Sequence, residues 1–269
     1  MVSDPASSGI SIESAPPVLR IQIQRPERRN AIHGASFDRL AEAFEAAMSN
    51  DALRVIQLTA EGEHFCAGAD LEISNAPSST RPRTGHMVRG LGRGAHRMIR
   101  AMHECPVPIV AGVRGFAAGV GCNLALAADF VIASENAQFV EPFVERGLTP
   151  DSGSSWILPR LVGLARARRM LLLGEPISGE EAEAWGMIHQ VVPDAQMDQA
   201  VVQLVARLAS AASLSVGLAK SLIHRGLSSS LAEALENEAY SEELAIRSKD
   251  FKEGLKAFRE RRKPKFEGL

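Results

Sequence analysis

Residues 114–129 read RGFAAGVGCNLALAAD, and they follow directly on VPIVAGV (107–113). The leading run is β-branched and small, the composition of a short, fully buried strand. Gly115, Gly119 and Gly121 then let the backbone turn tightly and come close to a ligand. From Val120 on, the sequence reads as the first turn of a helix. The amides of Val120, Gly121 and Cys122 are left as donors at that helix start, where partial positive charge suits an oxygen that becomes negative. This is the layout of half an oxyanion hole. A glycine-rich packing turn between strand and helix has the same composition, so this stretch alone leaves both readings open.

A second stretch upstream shifts the balance. EGEHFCAGADL (61–71) follows another strand-like run, RVIQLTA (54–60). Here a turn of small residues, Cys66-Ala67-Gly68-Ala69, is followed by acidic Asp70 and apolar Leu71. Two strand-to-turn units with exposed amides can supply two donors to one oxygen. The pair, in this order and at this separation, resembles the crotonase superfamily, the enoyl-CoA hydratase/isomerase family, and the likeness runs from about residue 18 to residue 266. The resemblance implies an α/β fold, a spiral of ββα repeats (18–198) with a C-terminal helical trimerisation region (199–269). It also implies that the amides of Ala69 and Val120 polarise the thioester carbonyl of an acyl-CoA, with Ala67, Gly68, Asp70, Leu71 and Gly119 against the substrate.

Composition bounds the function. A chain of 269 residues can bury a substantial core. A hydrophobic share of 45% is that of an ordinary globular protein. A net charge of -2 gives no strongly basic balance to argue for nucleic acid or an anionic membrane, and leaves room for a local basic patch toward a phosphate-bearing ligand. No apolar run approaches the roughly 20 residues of a membrane span. The three cysteines, Cys66, Cys105 and Cys122, have neither CxxC nor zinc spacing and read as reduced thiols. Cys66 and Cys122 flank the two turns, but no histidine stands beside either to activate a nucleophile. Residues 1–17 are rich in Ser, Pro and Ala, without Lys or Arg. They lack the features of a secretory signal or a presequence and are expected to form a flexible tail of a cytoplasmic protein.

Along the chain, VLRIQIQ (18–24) alternates as a half-buried strand. RPERRNAIHGASF (25–37) resembles the family's first loop, which lies near the pantetheine and phosphates of CoA. Arg25, Arg28 and Arg29 are therefore candidates for phosphate contact, against the alternative of a solvated basic loop. Ser36 can cap the next helix, whose Phe37, Leu40, Ala41, Phe44 and Met48 share one face. Residues 71–91 have the composition of a long loop, which the resemblance places at the acyl pocket. A helix is expected over 92–103. His86, His96 and His103 have no metal spacing.

The segment NAQFVEPFVERGLTPDSGSSWILPRLVG (136–163) bears on the chemistry. Hydratases of the family carry one glutamate on the central helix and a second after the next strand. Those positions hold Asn123 and Phe143 here, which puts simple water addition in doubt, since it needs one group for the water and another for the α-carbon proton. What remains is Asp151. Its surroundings, GLTPDSGSSWILPRLVG, resemble the isomerase branch of the family, where an aspartate at this position shuttles a proton. A double-bond shift moves a proton between carbons of one dienolate, so one carboxylate suffices if water is excluded. Phe139, Phe143, Leu148 and Trp156 would supply a poorly solvated wall. Asp151 before Ser-Gly-Ser-Ser is also a good helix N-cap. Glu141 and Glu145 are spare acids. Both are expected at the surface or in salt bridges, with Glu145 able to reach the pocket if the strand register slips by two or the chain bends there. Asn123 can bond a substrate oxygen or a water, or cap its helix.

Helices are expected over 164–173 and 180–185, the second with a Ser178/Glu181 capping box, then a strand IHQVVP (188–193). From Gln199 the pattern is helical to the end. In the family this region builds trimers, often paired into hexamers, and the equivalents of Phe258 and Arg261 reach a neighbour's CoA; a solvated basic end is the alternative. The expected function is double-bond isomerisation of an enoyl-CoA in fatty acid metabolism. Asp151 is the proton carrier, and Ala69 and Val120 hold the oxyanion. Coenzyme A enters as part of the substrate and no other cofactor or metal is called for. The alternatives are enoyl-CoA hydration using Glu145 or another acid, and a non-catalytic acyl-CoA-binding homologue. No GxGxxG or GxSxG motif competes.

Overall fold

Alternation along the central strands sets the architecture. In Val55–Ala60, Ile56 and Leu58 face one side of the sheet and Val55 the other; in Ile109–Val113, Ile109, Ala111 and Val113 oppose Val110. Strands apolar on both faces need cover on both. The computed structural model, which describes residues 8–70 and 83–268, supplies it. The strands are β1 (Ile10–Ala15), β2 (Val18–Ile23), β3 (Val55–Ala60), β4 (Ile109–Val113), β5 (Phe116–Ala118), β6 (Phe130–Ser134), β7 (Gln138–Val140), β8 (Ile177–Ser178) and β9 (Gln190–Val192). The α-helices are α1 (Gly34–Ala47), α2 (His86–Arg93), α3 (Ala95–Glu104), α4 (Val120–Leu126), α5 (Ser154–Leu173), α6 (Gly179–Ala184), α7 (Met197–Ala209), α8 (Ser213–Gly226), α9 (Leu231–Ala245) and α10 (Lys249–Arg259).

The main sheet has the order β1-β2-β3-β4-β6-β9. Only β1 and β2 are antiparallel; the other pairs are parallel. Leu40 and Phe44 of α1 and Met98 and Met102 of α3 pack on one face with Ile21, Ile56 and Leu58. Met197, Val201 and Val205 of α7 cover the other with Val55, Val110, Ile132 and Val192. Each fully buried side chain of this size contributes about 1.5–3 kcal/mol. A smaller sheet, β5-β7-β8, stands beside the first, and short connections run between the two layers. The site forms at those connections.

Several expectations are corrected. Residues 10–15, read as part of a flexible tail, form β1, paired from Ile10↔Ile23 to Ala15↔Val18. Its outward Ser and Glu residues hid a strand that needs only one buried face. Helix α1 begins two residues before Ser36, with His33 at the N-cap and Ser36 at N3 of a capping box. The helix expected over 92–103 is two helices broken at Gly94 (φ -96°, ψ -107°), the first starting at His86 inside the expected loop. Helix α5 starts ten residues before position 164 and bends at Gly163 (φ 75°, ψ 167°), a conformation that glycine tolerates. The Ser- and Gly-rich start and Pro159 disguised it. Among the described residues no single helix is long and apolar enough to cross a membrane. Nor does any group of three or more His, Cys, Asp or Glu among them form a possible metal site.

Candidate active site

The two small-residue turns meet through backbone bridges. Cys66 pairs with Ala117 in parallel sense: its N–H donates to Phe116 O at 2.9 Å and its carbonyl accepts from Ala118 N at 2.9 Å. Ala69 pairs with Ile32, but the bonds belong to its neighbours. Ile32 N donates to Gly68 O at 2.9 Å, and Asp70 N to Ile32 O at 2.8 Å. In a parallel bridge this pattern turns the N–H of Ala69 itself to the opposite edge. Val120 is the first residue of α4, where an amide has no intrahelical acceptor. Gly119 before it sits at φ 53°, ψ -121° and gives its own N–H to Val140 O at 2.8 Å. Among the described residues neither the Ala69 nor the Val120 amide has an acceptor.

The turns touch closely. A Cβ at Gly121 would fall 2.3 Å from Cys66 O and 2.8 Å from its Cβ and Sγ. A Cβ at Gly68 (φ 105°) would fall 3.0 Å from Ala118 O. Both glycines are thus required by backbone contact between the turns. A further tie comes from the basic loop. Arg25, a candidate for phosphate contact, instead pairs with Asp70 at 2.9 Å, with both side chains largely buried, and also donates to Ala31 O. Asn30, at φ 57°, accepts from Arg25 N and donates to the carbonyls of Glu61 and His64. The loop therefore braces the Ala69 turn. Arg28 and Arg29 lie exposed on it.

Asp151 is not an N-cap. Helix α5 has Gly153 at that position with no side-chain cap. The carbonyl of Asp151, not its carboxylate, accepts from Ser154 N and Ser154 Oγ, each at 3.0 Å. The carboxylate is left to accept from Ser152 Oγ at 2.6 Å, with Ser152 buried in the left-handed region (φ 50°). Asn123, one turn beyond Val120 on α4, reaches the same carbonyl with Nδ2 at 3.4 Å and Gly119 O at 3.1 Å. Asp151 stands on the wall of a largely apolar cavity of about 1050 Å³, with Ile99, His103, Leu126, Trp156 and Ile157. Ala69 and Val120 do not line that cavity; α4 joins the two places, with Val120 at one end and Leu126 at the other.

Phe143 is buried, its ring tip 3.9 Å from where a Gly119 Cβ would be, so an apolar ring adjoins the Val120 turn. Of the expected wall only Trp156, itself partly exposed, lines the cavity with Asp151; Phe139 and Phe143 are buried away from it and Leu148 is exposed. Glu145, allowed for as a pocket residue, is exposed on a 3-10 turn (Val144–Arg146) and packs beside Gly174 at the end of α5. The turn carries it away from the site. Phe258 is 83% exposed on α10, and Arg261 is exposed beyond it; neither lines the cavity with Asp151. Leu71 lies outside the described residues.

Glu141 reverses its expectation. It is wholly buried, not at the surface or in a salt bridge, with its carboxyl against the Cys122 thiol and the Asn123 side chain. Burial above all, and the Asp151 charge, push this carboxyl well above its ordinary value of 4.5; the Cys122 and Asn123 contacts oppose this without cancelling it. The signal was in the sequence: Phe139 and Glu141 are two apart, and an inward Phe139 on β7 points Glu141 inward as well. Burial also pushes the Cys66 thiol up to about 12 and Cys122 well above its ordinary value, so neither offers a thiolate nucleophile.

The pattern of the family described as "Enoyl-CoA hydratase/isomerase" matches residues 13–269. The chain is similar to 1,2-epoxyphenylacetyl-CoA isomerase of Escherichia coli (strain K12), 38% identical over 93% of this chain and 95% of that one. It is also similar to crotonyl-CoA hydratase of Syntrophomonas wolfei, 33% identical over 97% and 98%. The crystal structure of an enoyl-CoA hydratase from Bacillus anthracis superposes with a TM-score of 0.90 at 30% identity, over 97% of this chain and 100% of that one.

Proposed function

The chain belongs to the enoyl-CoA hydratase/isomerase family and is an acyl-CoA enzyme with the crotonase fold; from that premise we propose that it shifts the double bond of an enoyl-CoA thioester. The thioester oxygen is held by the amides of Ala69 and Val120. Asp151 takes the proton from one carbon of the acyl group and returns it to another. The observation that carries this reading is the state of Asp151: its carboxylate caps no helix, is tied only by the Ser152 hydroxyl among the described residues, and sits on an apolar cavity. Asn123 and Phe143, where the resemblance places hydratase acids, carry no ionisable group.

The catalytic gain comes from preorganisation. Two fixed amides meet charge that develops on the thioester oxygen, and each such donor is worth about 3–4 kcal/mol. The carboxylate, at the other end of α4, adds proton transfer, about 10²–10⁴-fold. Asp151→Asn keeps the shape and removes the base. Turnover of a 3-enoyl-CoA is expected to fall at least about 10²-fold, with CoA-thioester binding by calorimetry nearly unchanged. Wild-type turnover in this variant would reject the assignment.

One observation favours a second reading, hydration of a 2-enoyl-CoA: Glu141 places a second carboxyl near Asp151, and a crotonyl-CoA hydratase is among the relatives. Product identification with crotonyl-CoA and a matched 3-enoyl-CoA separates the two. A homotrimer or hexamer is proposed from Leu231, Leu235, Leu244 and Leu255, which α9 and α10 leave exposed. In such an assembly Phe258, Arg261 and Arg28 are candidate contacts to CoA.

A further inference from the structure

Asn123 is fully buried and its amide has one workable orientation. Nδ2 donates to two carbonyls, Gly119 O and Asp151 O. Turning the amide over would set Oδ1 against both of those oxygens, so Oδ1 faces the other way. Among the described residues Oδ1 has no donor, and neither do Glu141 Oε1 and Oε2. The Glu141 carboxyl lies against this same amide. Three buried acceptors, one on Asn123 and two on Glu141, are therefore left without a donor on side chains that adjoin each other. The titratable groups that face Glu141 are Cys122 from α4, a neutral thiol, and Asp151 from the segment before α5, a second negative charge. Among the described residues no cation pairs with it. An ionised glutamate here is a buried charge without a partner. A protonated one supplies the missing donor.

We propose that Glu141 is a positioning residue of this site: as a neutral carboxylic acid it donates a hydrogen bond to Asn123 Oδ1, and so holds the amide that clasps the Asp151 main chain. The inference rests on the reading of Asp151 as the proton carrier. Glu141 does not line the cavity and touches no substrate in this arrangement. Its effect passes through Asn123. The Gly119 carbonyl, which takes the other Asn123 hydrogen, ties the same amide to the Val120 turn.

The test uses the full-length enzyme and has a readout besides activity. Infrared difference spectra at pH 7 between wild type and Glu141→Gln are expected to show a neutral-carboxyl C=O band only in wild type. In kinetics with a 3-enoyl-CoA, Glu141→Leu is expected to lower kcat about ten- to a hundredfold, the scale of one lost buried hydrogen bond, with KM little changed. Glu141→Gln, which can still donate to Asn123 Oδ1, is expected to restore most of that loss. The alkaline limb of the wild-type kcat profile, where Glu141 gives up its proton, should be missing in Glu141→Gln. Absence of the neutral-carboxyl band in wild type overturns the proposal, as does a folded Glu141→Gln as impaired as Glu141→Leu. If the leucine variant does not fold, the spectrum and the pH profile of the glutamine variant still decide. A fully active Asp151→Asn would sink the reading of the reaction while leaving the spectroscopic result for Glu141 standing, so the two failures are distinguishable.

Discussion

Replacing Gly121 with alanine tests whether two turns serve one oxygen. The added Cβ would lie 2.3 Å from Cys66 O, where ordinary contact begins at 3.4 Å, so the gap must open by about 1 Å. Neither side yields cheaply. The contacted atom is backbone, and the same carbonyl is held by Ala118 N at 2.9 Å. Either the start of α4 moves, carrying Val120, or the Cys66–Ala69 turn moves, carrying Ala69. Overpacking of this kind costs about 1–3 kcal/mol of stability. A misplacement of about 1 Å at a catalytic group costs about 10²-fold in rate, and complete loss of one donor about 10²–10³. The assay is kcat/KM on a 3-enoyl-CoA and on crotonyl-CoA, with urea unfolding alongside. Both chemistries need the same oxyanion, so whichever activity is present should fall by that factor. Gly226→Ala, on α8 with no atom within 4 Å of the new Cβ, is the control. A folded Gly121→Ala enzyme within about threefold of wild-type kcat/KM would show that the two turns do not act together.

Glu141 also makes stability depend on pH. Its folded pKa is raised, so the native state keeps a proton that the unfolded chain releases. Unfolding free energy should therefore be highest below the ordinary value of 4.5 and fall, by about 1.4 kcal/mol per pH unit, until the raised folded pKa is reached. Glu141→Gln should lack that slope; parallel urea-derived curves for the two proteins across the pH series would refute the buried acid. Lys220, only 7% exposed, holds Asp129 Oδ2 at 2.7 Å and Met102 O at 3.3 Å. Lys220→Met leaves Asp129 with only Ile109 N among its hydrogen-bond partners in the described residues. It should cost about 3–5 kcal/mol by chemical denaturation. Adding Asp129→Asn should recover part of the loss, and an unaffected midpoint in the single variant would show the pair to be of no consequence.

Much of this site is visible in sequence because it is backbone chemistry. A turn that must run against another chain shows itself as glycine or alanine, and Gly68 and Gly121 stand where backbone contact demands them. Strands β3, β4 and β6 were legible because each is a buried apolar run. Strands β5, β7 and β8 are two or three residues long, too short to display a period. β1 was lost because serine and glutamate on its exposed face resemble a tail. Glu141 was misplaced for a related reason: a lone carboxylate is solvated in nearly every other setting. Only the inward direction of Phe139, two residues before it, carries the contrary information. For Arg25 the sequence left a phosphate and solvent as the alternatives, because a basic loop records charge and not its partner, Asp70, 45 residues away.

The two readings of the reaction part at the location of protons, not at the number of acids. Hydration asks a second acidic group to reach the substrate carbon or the attacking water. Glu141 is near Asp151, but it is fully buried and off the cavity wall, and its carboxyl faces Asn123 and Cys122. A proton held there cannot be delivered to an acyl chain without displacing the amide that fixes Asp151. The nearer side chain to the Val120 turn is Phe143, which brings only an apolar ring. Of the two aspartates on the cavity wall, Asp129 is held by Lys220 and the Ile109 amide, which leaves Asp151 as the proposed base among the described residues. A single base in an apolar pocket serves a reaction that takes up and returns the same proton, and water would compete with that return. Moving the second acid from position 141 to position 143 supplies a direct comparison: Phe143→Glu should raise hydration relative to isomerisation in product ratio. An unchanged ratio in a folded variant would mean that proton placement does not set the outcome.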